Sequence, residues 1–296
     1  RESIPETIAA KASELGIEVI SGHGIVGVDG KKSVSGVAIA PLSDPSQTRR
    51  ISCDLVCTSG GWSPSIHLFS QSGGTPKWDA AQLCFVPGAS VQSERSTGSA
   101  RGTFALSDCI REGFSAGAGA AQASGHKAEI PNTPETSATE PLAVEALWEI
   151  PSGRKGTRAF VDFQNDVTTG DLRLAAREGY QSVEHVKRYT TAGMGIDQGK
   201  TGNINVIGIL AQNYELEPPE VGTTTFRPPY SPISFGVMAG IDQGQLIIPS
   251  RRTPMTDWHE KEGGFMNEAG LQYRRPLYYT KDGETIAEAS RREAKT

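Results

Sequence analysis

Residues 182–200 read SVEHVKRYTTAGMGIDQGK, and no other stretch constrains the chain as tightly. The spacing predicts a short amphipathic helix carrying Lys187 and Arg188 that runs into Thr190, Thr191, Gly193 and Gly195. A second glycine–lysine pair, Gly199 and Lys200, follows at once. Glycine lets the backbone approach a ligand closely, and exposed N–H groups beside basic side chains favour an anion. A solvated helix face closed by a glycine cap explains the same residues. The spacing alone leaves both readings open.

At 296 residues the chain has room for roughly two domains. It is 36% hydrophobic and 21% charged, as in ordinary globular proteins, and its net charge of −5 argues against general nucleic-acid binding. No apolar run approaches the roughly 20 residues of a spanning helix, and no signal peptide is visible. Four cysteines, Cys53, Cys57, Cys84 and Cys109, suit a reducing, cytoplasmic compartment better than a disulfide framework. Cys53 and Cys57 lack a second Cys/His pair, so buried thiols are favoured over a metal site. The chain opens on Arg1 and ends in charged residues, which reads as part of a longer polypeptide.

Order along the chain suggests an α/β protein. A helix is predicted over 4–15, ended by Gly16, then two strands within IEVISGHGIVGVDG and SVSGVAIAPL with an Asp29-Gly30 turn. Residues 54–58 form an apolar run fit for a strand covered on both faces, stopping at Ser59-Gly60-Gly61-Trp62. A further strand over 102–108 and a small-residue helix over 109–123 complete the grammar of a doubly wound nucleotide-binding domain over 1–125. In that setting Ser59, Gly60, Gly61 and Trp62 would meet a dinucleotide, and Asp108 would accept ribose hydroxyls. Tight turns and a helix cap account for the same residues, and no GxGxxG fingerprint is present. Residues 126–157 read as a linker or surface excursion.

From Arg158 the composition changes. A strand is predicted over 159–163, a helix from a Thr168 or Thr169 cap to Glu178, a second capped by Ser182, and a third over 200–214. This makes 158–225 a mainly helical module, broken by Pro218-Pro219 and Arg227-Pro228-Pro229. His185 has no visible partner, and Asp257 and His259 lack a marked nucleophile. Asp257 reads as a helix cap and Trp258 as core packing. No self-contained catalytic centre emerges.

The run from Ala159 to Gln212, AFVDFQNDVTTGDLRLAAREGYQSVEHVKRYTTAGMGIDQGKTGNINVIGILAQ, resembles the middle of the alpha subunits of heterotetrameric sarcosine oxidases. CDLVCTSGGWSPS resembles the end of their dinucleotide-binding region, and RRTPMTDWHEKEGGFMNEAGLQYRRPLYY the start of their aminomethyltransferase-like, folate-binding module, here 226–296. The resemblance implies a flavoenzyme that oxidises sarcosine with oxygen to glycine, hydrogen peroxide and either formaldehyde or methylenetetrahydrofolate. It implies beta, gamma and delta subunits as partners. It also implies FAD in the beta subunit, FMN at the alpha–beta boundary, tetrahydrofolate largely beyond this chain, and NAD in the alpha subunit. Lys187, Arg188, Thr190, Thr191 and Lys200 would then face FMN. Related amine dehydrogenases carry an iron–sulfur domain of similar outline, with cysteines where this chain has Asp162, Gln164, Asp197 and Gly202. None of these supplies a thiolate, so the module resembles a cluster-free version of that domain. The resemblance leaves two other readings, the alpha-type subunit of another amine or imino-acid dehydrogenase and a non-catalytic scaffold.

Overall fold

The computed structural model describes residues 4–136, 144–150, 158–241, 250–270 and 272–295. Parts of the expected linker, 137–143 and 151–157, lie outside the described residues. The chain divides into two compact units, Arg1–Pro232 and Ile233–Thr296.

In the first unit, α1 (Glu6–Glu14) precedes a three-stranded sheet of β1 (His23–Gly30), β2 (Val34–Pro41) and β3 (Arg49–Ile51). All its pairings are antiparallel in the order β1-β2-β3. The hairpin turn is Lys31-Lys32-Ser33 rather than Asp29-Gly30. Gly30 lies in the strand end at φ +141, where a Cβ would fall 2.0 Å from the Ser33 carbonyl oxygen. Short α2 (His67–Gln71) and a ribbon of β4 (Lys77–Asp79) and β5 (Cys84–Val86) lead to α3 (Leu106–Ala123).

This departs from the expected doubly wound sheet: the α/β content holds, but every pairing of named strands among the described residues is antiparallel. Residues 54–58 form no strand, and Leu55 is 71% exposed. An apolar strand covered on both faces needs neighbours along both edges, and none lies beside this run among the described residues. Residues 102–105 are irregular because they are drawn into the start of α3. The Thr103 hydroxyl donates to Glu112 at 2.8 Å, and the Cys109 thiol donates to the Thr103 carbonyl at 2.9 Å.

The core lies in the helical module. The hairpin of β6 (Phe160–Asp162) and β7 (Val167–Thr168) runs into α4 (Thr169–Arg177), α5 (Val183–Thr190), α6 (Asn203–Tyr214) and the turn α7 (Pro218–Val221). Thr168 starts α4 with a capping box: its hydroxyl accepts the Asp171 N–H, and Asp171 accepts the Thr168 N–H at 2.8 Å. α6 is buried on nearly every face from Val206 to Ala211, as an apolar helix at the centre of a module must be. Leu172 and Ala175 of α4, Val183 and Val186 of α5, and Ile209 and Leu210 of α6 form one buried cluster. Burying each of these leucine, isoleucine and valine side chains contributes about 1.5–3 kcal/mol.

The second unit holds α8 (Phe235–Ala239), α9 (Thr256–Lys261), the antiparallel hairpin β8 (Gly264–Ala269) and β9 (Tyr273–Tyr279), and α10 (Ile286–Glu293). Met255 rather than Asp257 caps α9. Asp257 instead pairs with Arg252. Trp258 is 49% exposed, edge-on to Tyr279, and is not core packing. No helix among the described residues is long and apolar enough to cross a membrane.

Candidate functional site

The glycine-rich stretch after α5 folds back on the β6–β7 hairpin, and one carboxylate joins them. Asp162, 6% exposed at the end of β6, accepts the N–H groups of Gln164 at 2.8 Å and Asn165 at 3.0 Å on one oxygen. Its other oxygen accepts the Gly193 N–H at 2.7 Å. Asp197 likewise accepts the Gly199 N–H at 3.2 Å and the Thr201 hydroxyl at 2.7 Å.

Side chains fill the interior of the turn. A Cβ on Gly193 or Gly199 would lie 2.4 or 2.1 Å from the Asn203 amide oxygen, and one on Gly195 would lie 2.4 Å from that of Gln164. A Cβ on Gly202 would lie 2.3 Å from the Val161 carbonyl oxygen. The glycines therefore make room for Asn203, Gln164 and the β6 backbone. The anion-cradle reading of this turn fails at the backbone, because the Gly193 and Gly199 N–H groups already have carboxylate acceptors.

The four positions read as cluster-free, Asp162, Gln164, Asp197 and Gly202, thus meet in one compact turn. Each has an internal role, as a hydrogen-bond acceptor, a filler or a close backbone contact. Their chemistry does not fit an iron–sulfur cluster, which needs thiolates.

The basic side chains meet residues 224–230, a segment read from the sequence as a break where the helical module gives way to the 226–296 module. Lys187 donates to the Thr225 carbonyl at 3.3 Å, and Glu184 accepts the Thr225 N–H. Lys200 donates to the Tyr230 carbonyl at 2.6 Å and sits 4.3 Å above the Tyr230 ring. Arg188 pairs with Glu184 at 2.8 Å, within its own helix. The Thr190 hydroxyl donates to the Val186 carbonyl at 2.8 Å. Thr191 closes α5 at φ +65, a left-handed conformation rare for a β-branched residue. Its carbonyl is held by Asn165 at 3.0 Å. Burial lowers the pKa of Lys187 and outweighs Glu184, with Arg188 and Arg227 pushing the same way. Lys187, Arg188 and Arg227 are therefore neighbours whose charges repel.

His67 was missed by sequence reasoning because its partners are distant in the chain. It is 3% exposed, its ring is 3.8 Å from Phe226, and its Nε2 lies 3.4 Å from the Gln198 carbonyl. Nearby, the Ser65 and Tyr230 hydroxyls are 2.9 Å apart. Burial lowers the His67 pKa below its ordinary 6.5, and Lys200 and Lys187 add to this against Gln198 and Asp197. Above that ordinary value the ring is neutral in both folded and unfolded chains. As pH falls below it, the unfolded chain takes up a proton that the folded chain resists, so stability is lost on acidification. The loss of melting temperature between about pH 7.5 and about pH 5.5 is expected to be smaller in His67→Phe than in the parent. Equal losses would exclude His67 as the source.

The residues expected to bind a dinucleotide are not brought together. Ser59, Gly60, Gly61 and Trp62 lie in irregular, exposed chain, with Trp62 81% exposed. A Cβ on Gly60 or Gly61 would meet nothing within 4 Å. Asp108 is in the first turn of α3, one turn past its Ala105 cap, and pairs with Arg111 at 2.6 Å. No hydrogen bond or ion pair among the described residues joins Asp108 to 59–62.

Residues 156–241, which include this whole turn, match the family described as the sarcosine oxidase A3 domain. The chain is similar to sarcosine oxidase alpha subunits. It is 37% identical over 96% of its length to the one from Corynebacterium sp. (strain P-1), and 38% identical over 91% to the one from Rhizobium meliloti (strain 1021). The chain spans 30% and 27% of the length of these relatives. An opine oxidase component of Rhizobium meliloti (strain 1021) is 33% identical over 26% of the chain and 17% of its own length. Among solved structures, L-proline dehydrogenase from P. horikoshii superposes on 79% of this chain and 48% of its own, with a TM-score of 0.57 and 18% identity. That likeness speaks for a shared fold alone. The Asp162 turn and α4–α6 all lie within the A3 stretch.

Proposed function

We propose that the chain is part of the alpha subunit of a multisubunit sarcosine oxidase, which oxidises sarcosine with oxygen to glycine, hydrogen peroxide and formaldehyde or methylenetetrahydrofolate. The observation that carries this reading is the similarity to sarcosine oxidase alpha subunits over almost the whole chain. The proposed partners are the beta, gamma and delta subunits, with tetrahydrofolate mostly beyond this chain and FAD in the beta subunit. The proposed organisation is the end of an NAD-binding region over 1–125, an excursion over 126–157, an interdomain module over 158–225 and the start of a folate-binding module over 226–296. A cytoplasmic setting agrees with the free cysteines Cys53, Cys57, Cys84 and Cys109. The full alpha chain, assembled with its partners, is expected to consume oxygen and release peroxide with sarcosine. A complex that leaves sarcosine untouched would end this reading. If it oxidised an opine or proline instead, the alternative of another amine or imino-acid oxidising enzyme would take its place.

For the cofactors, we propose that Lys187, Arg188, Thr190, Thr191 and Lys200 line the side of the subunit that faces FMN. A lysine ammonium has three donors, and Lys187 and Lys200 each give one to a carbonyl, which leaves donors for a phosphate. Thr190 fits less well, since its proton already goes to Val186. Bound FMN would supply electron transfer, while these residues would hold its phosphate. Lys200→Met is expected to lower FMN content in the purified complex by about half or more, as loss of a charge-assisted contact does. Full occupancy would remove Lys200 from the site. NAD is proposed at Ser59, Gly60, Gly61, Trp62 and Asp108: the glycine backbone is open and the Asp108 carboxylate keeps lone pairs beside Arg111, and the ligand itself would have to bridge Asp108 and 59–62, which no bond among the described residues joins.

A further inference from the structure

A charged concavity of the first unit is lined by residues outside the sites above. A cleft of about 800 Å³ opens between α3, residues 87–97 and residues 130–133. That volume suits a small molecule, within the usual range of roughly 300–1,000 Å³. None of Ser59, Gly60, Gly61, Trp62 or Asp108 lines it.

Its charge is one-sided. Arg95, Arg101 and Arg111 line it against a single carboxylate, Glu112. Glu112 is committed elsewhere, accepting the Gly98 N–H at 2.9 Å and the Thr103 hydroxyl at 2.8 Å. Burial raises its pKa, but these two bonds with Arg101 and Arg111 hold it below the ordinary value, so it stays ionised. Arg111 has Asp108 as its partner. Among the described residues, the side chains of Arg95 and Arg101 form neither a hydrogen bond nor an ion pair. Arg95 lies against α3 at Gly119, where a Cβ would come within 3.0 Å of its guanidinium. The absent side chain there lets the arginine lie across the helix.

The rest of the lining mixes hydroxyls and an amide, including Thr97, Ser115 and Asn132, with apolar Pro87, Ala116, Ile130 and Pro131. The guanidinium forks of Arg95 and Arg101, which form no hydrogen bond or ion pair among the described residues, match a planar or tetrahedral oxyanion in pairs of N–H···O bonds.

We propose that this cleft binds a phosphorylated small molecule with two adjacent phosphate groups. Arg95 and Arg101 take the phosphates, Arg111 adds charge from its pair with Asp108, and the hydroxyls hold the remainder. The proposal is independent of sarcosine oxidation, and it shares only the Asp108–Arg111 pair with the proposed NAD site.

Titration calorimetry on the full alpha chain in its assembled complex tests it, with inorganic pyrophosphate and ADP as probes. Both are expected to bind, more weakly as salt is raised. In the double variant Arg95→Gln/Arg101→Gln their affinities are expected to fall about tenfold or more, since bonds to charged groups are lost. Tighter binding of ADP than of pyrophosphate supports a nucleotide; equal binding supports a bare diphosphate group. No binding of either probe at millimolar concentration overturns the proposal. So does an unchanged affinity in the double variant. Both arginines are exposed, so the variant should fold, and its circular dichroism checks this.

Discussion

Replacing Asp162 by alanine is expected to lower the stability of the first unit by about 3 kcal/mol, read from urea denaturation. The carboxylate is buried and accepts three backbone N–H groups, from Gln164, Asn165 and Gly193. Truncation leaves those donors without an acceptor, and bonds to a charged group are the stronger kind. Asp162→Asn should recover little. Its amide offers one oxygen, while its NH2 group would face a donor on the other side. A loss below about 1 kcal/mol in the alanine variant would show that water replaces the carboxylate, and that Asp162 does not hold the turn.

Gly202→Ala is expected to destabilise the same unit by about 2–3 kcal/mol, as overpacking does. The reason is space and not backbone conformation. Gly202 has φ −119, which any residue adopts, but its Cβ would fall 2.3 Å from the Val161 carbonyl oxygen. That oxygen belongs to a strand and has no flexible end to swing aside. Gly60→Ala is the control, since its Cβ meets nothing within 4 Å. Equal melting temperatures for the two variants would mean that the contact relaxes freely.

The helical module was legible because its signals are local. Thr168 and Asp171 stand at capping-box spacing, and the apolar positions of 183–186 and 206–211 repeat as helices require. The expected strands at 54–58 and 102–108 failed for a different reason. A strand is completed by neighbours, and composition does not reveal whether they are present. The site was half legible. Charge and glycine content drew attention to 182–200, and the structure gathers those residues with Asp162 and Gln164. Their partners are remote: Lys200 meets Tyr230, thirty residues on, and Ser65 meets Tyr230 across 165. Runs such as Arg227-Pro228-Pro229 announce that a helix stops, and say nothing of which carbonyl then lies over which lysine.

The close fit of Gly202 against Val161 also bears on history. If the module descends from a cluster-bearing ancestor, as its resemblance implies, the way back is barred. A cysteine at Gly202 begins with the Cβ that the strand excludes, and a cysteine at Asp162 releases three N–H groups at once. Each step of reversal would be harmful before any metal bound, and only all four together, with a shifted backbone, would offer a ligand set. On that descent the turn would behave as a ratchet: once carboxylate and glycine had replaced thiolate, selection for a stable fold would be enough to keep the metal out.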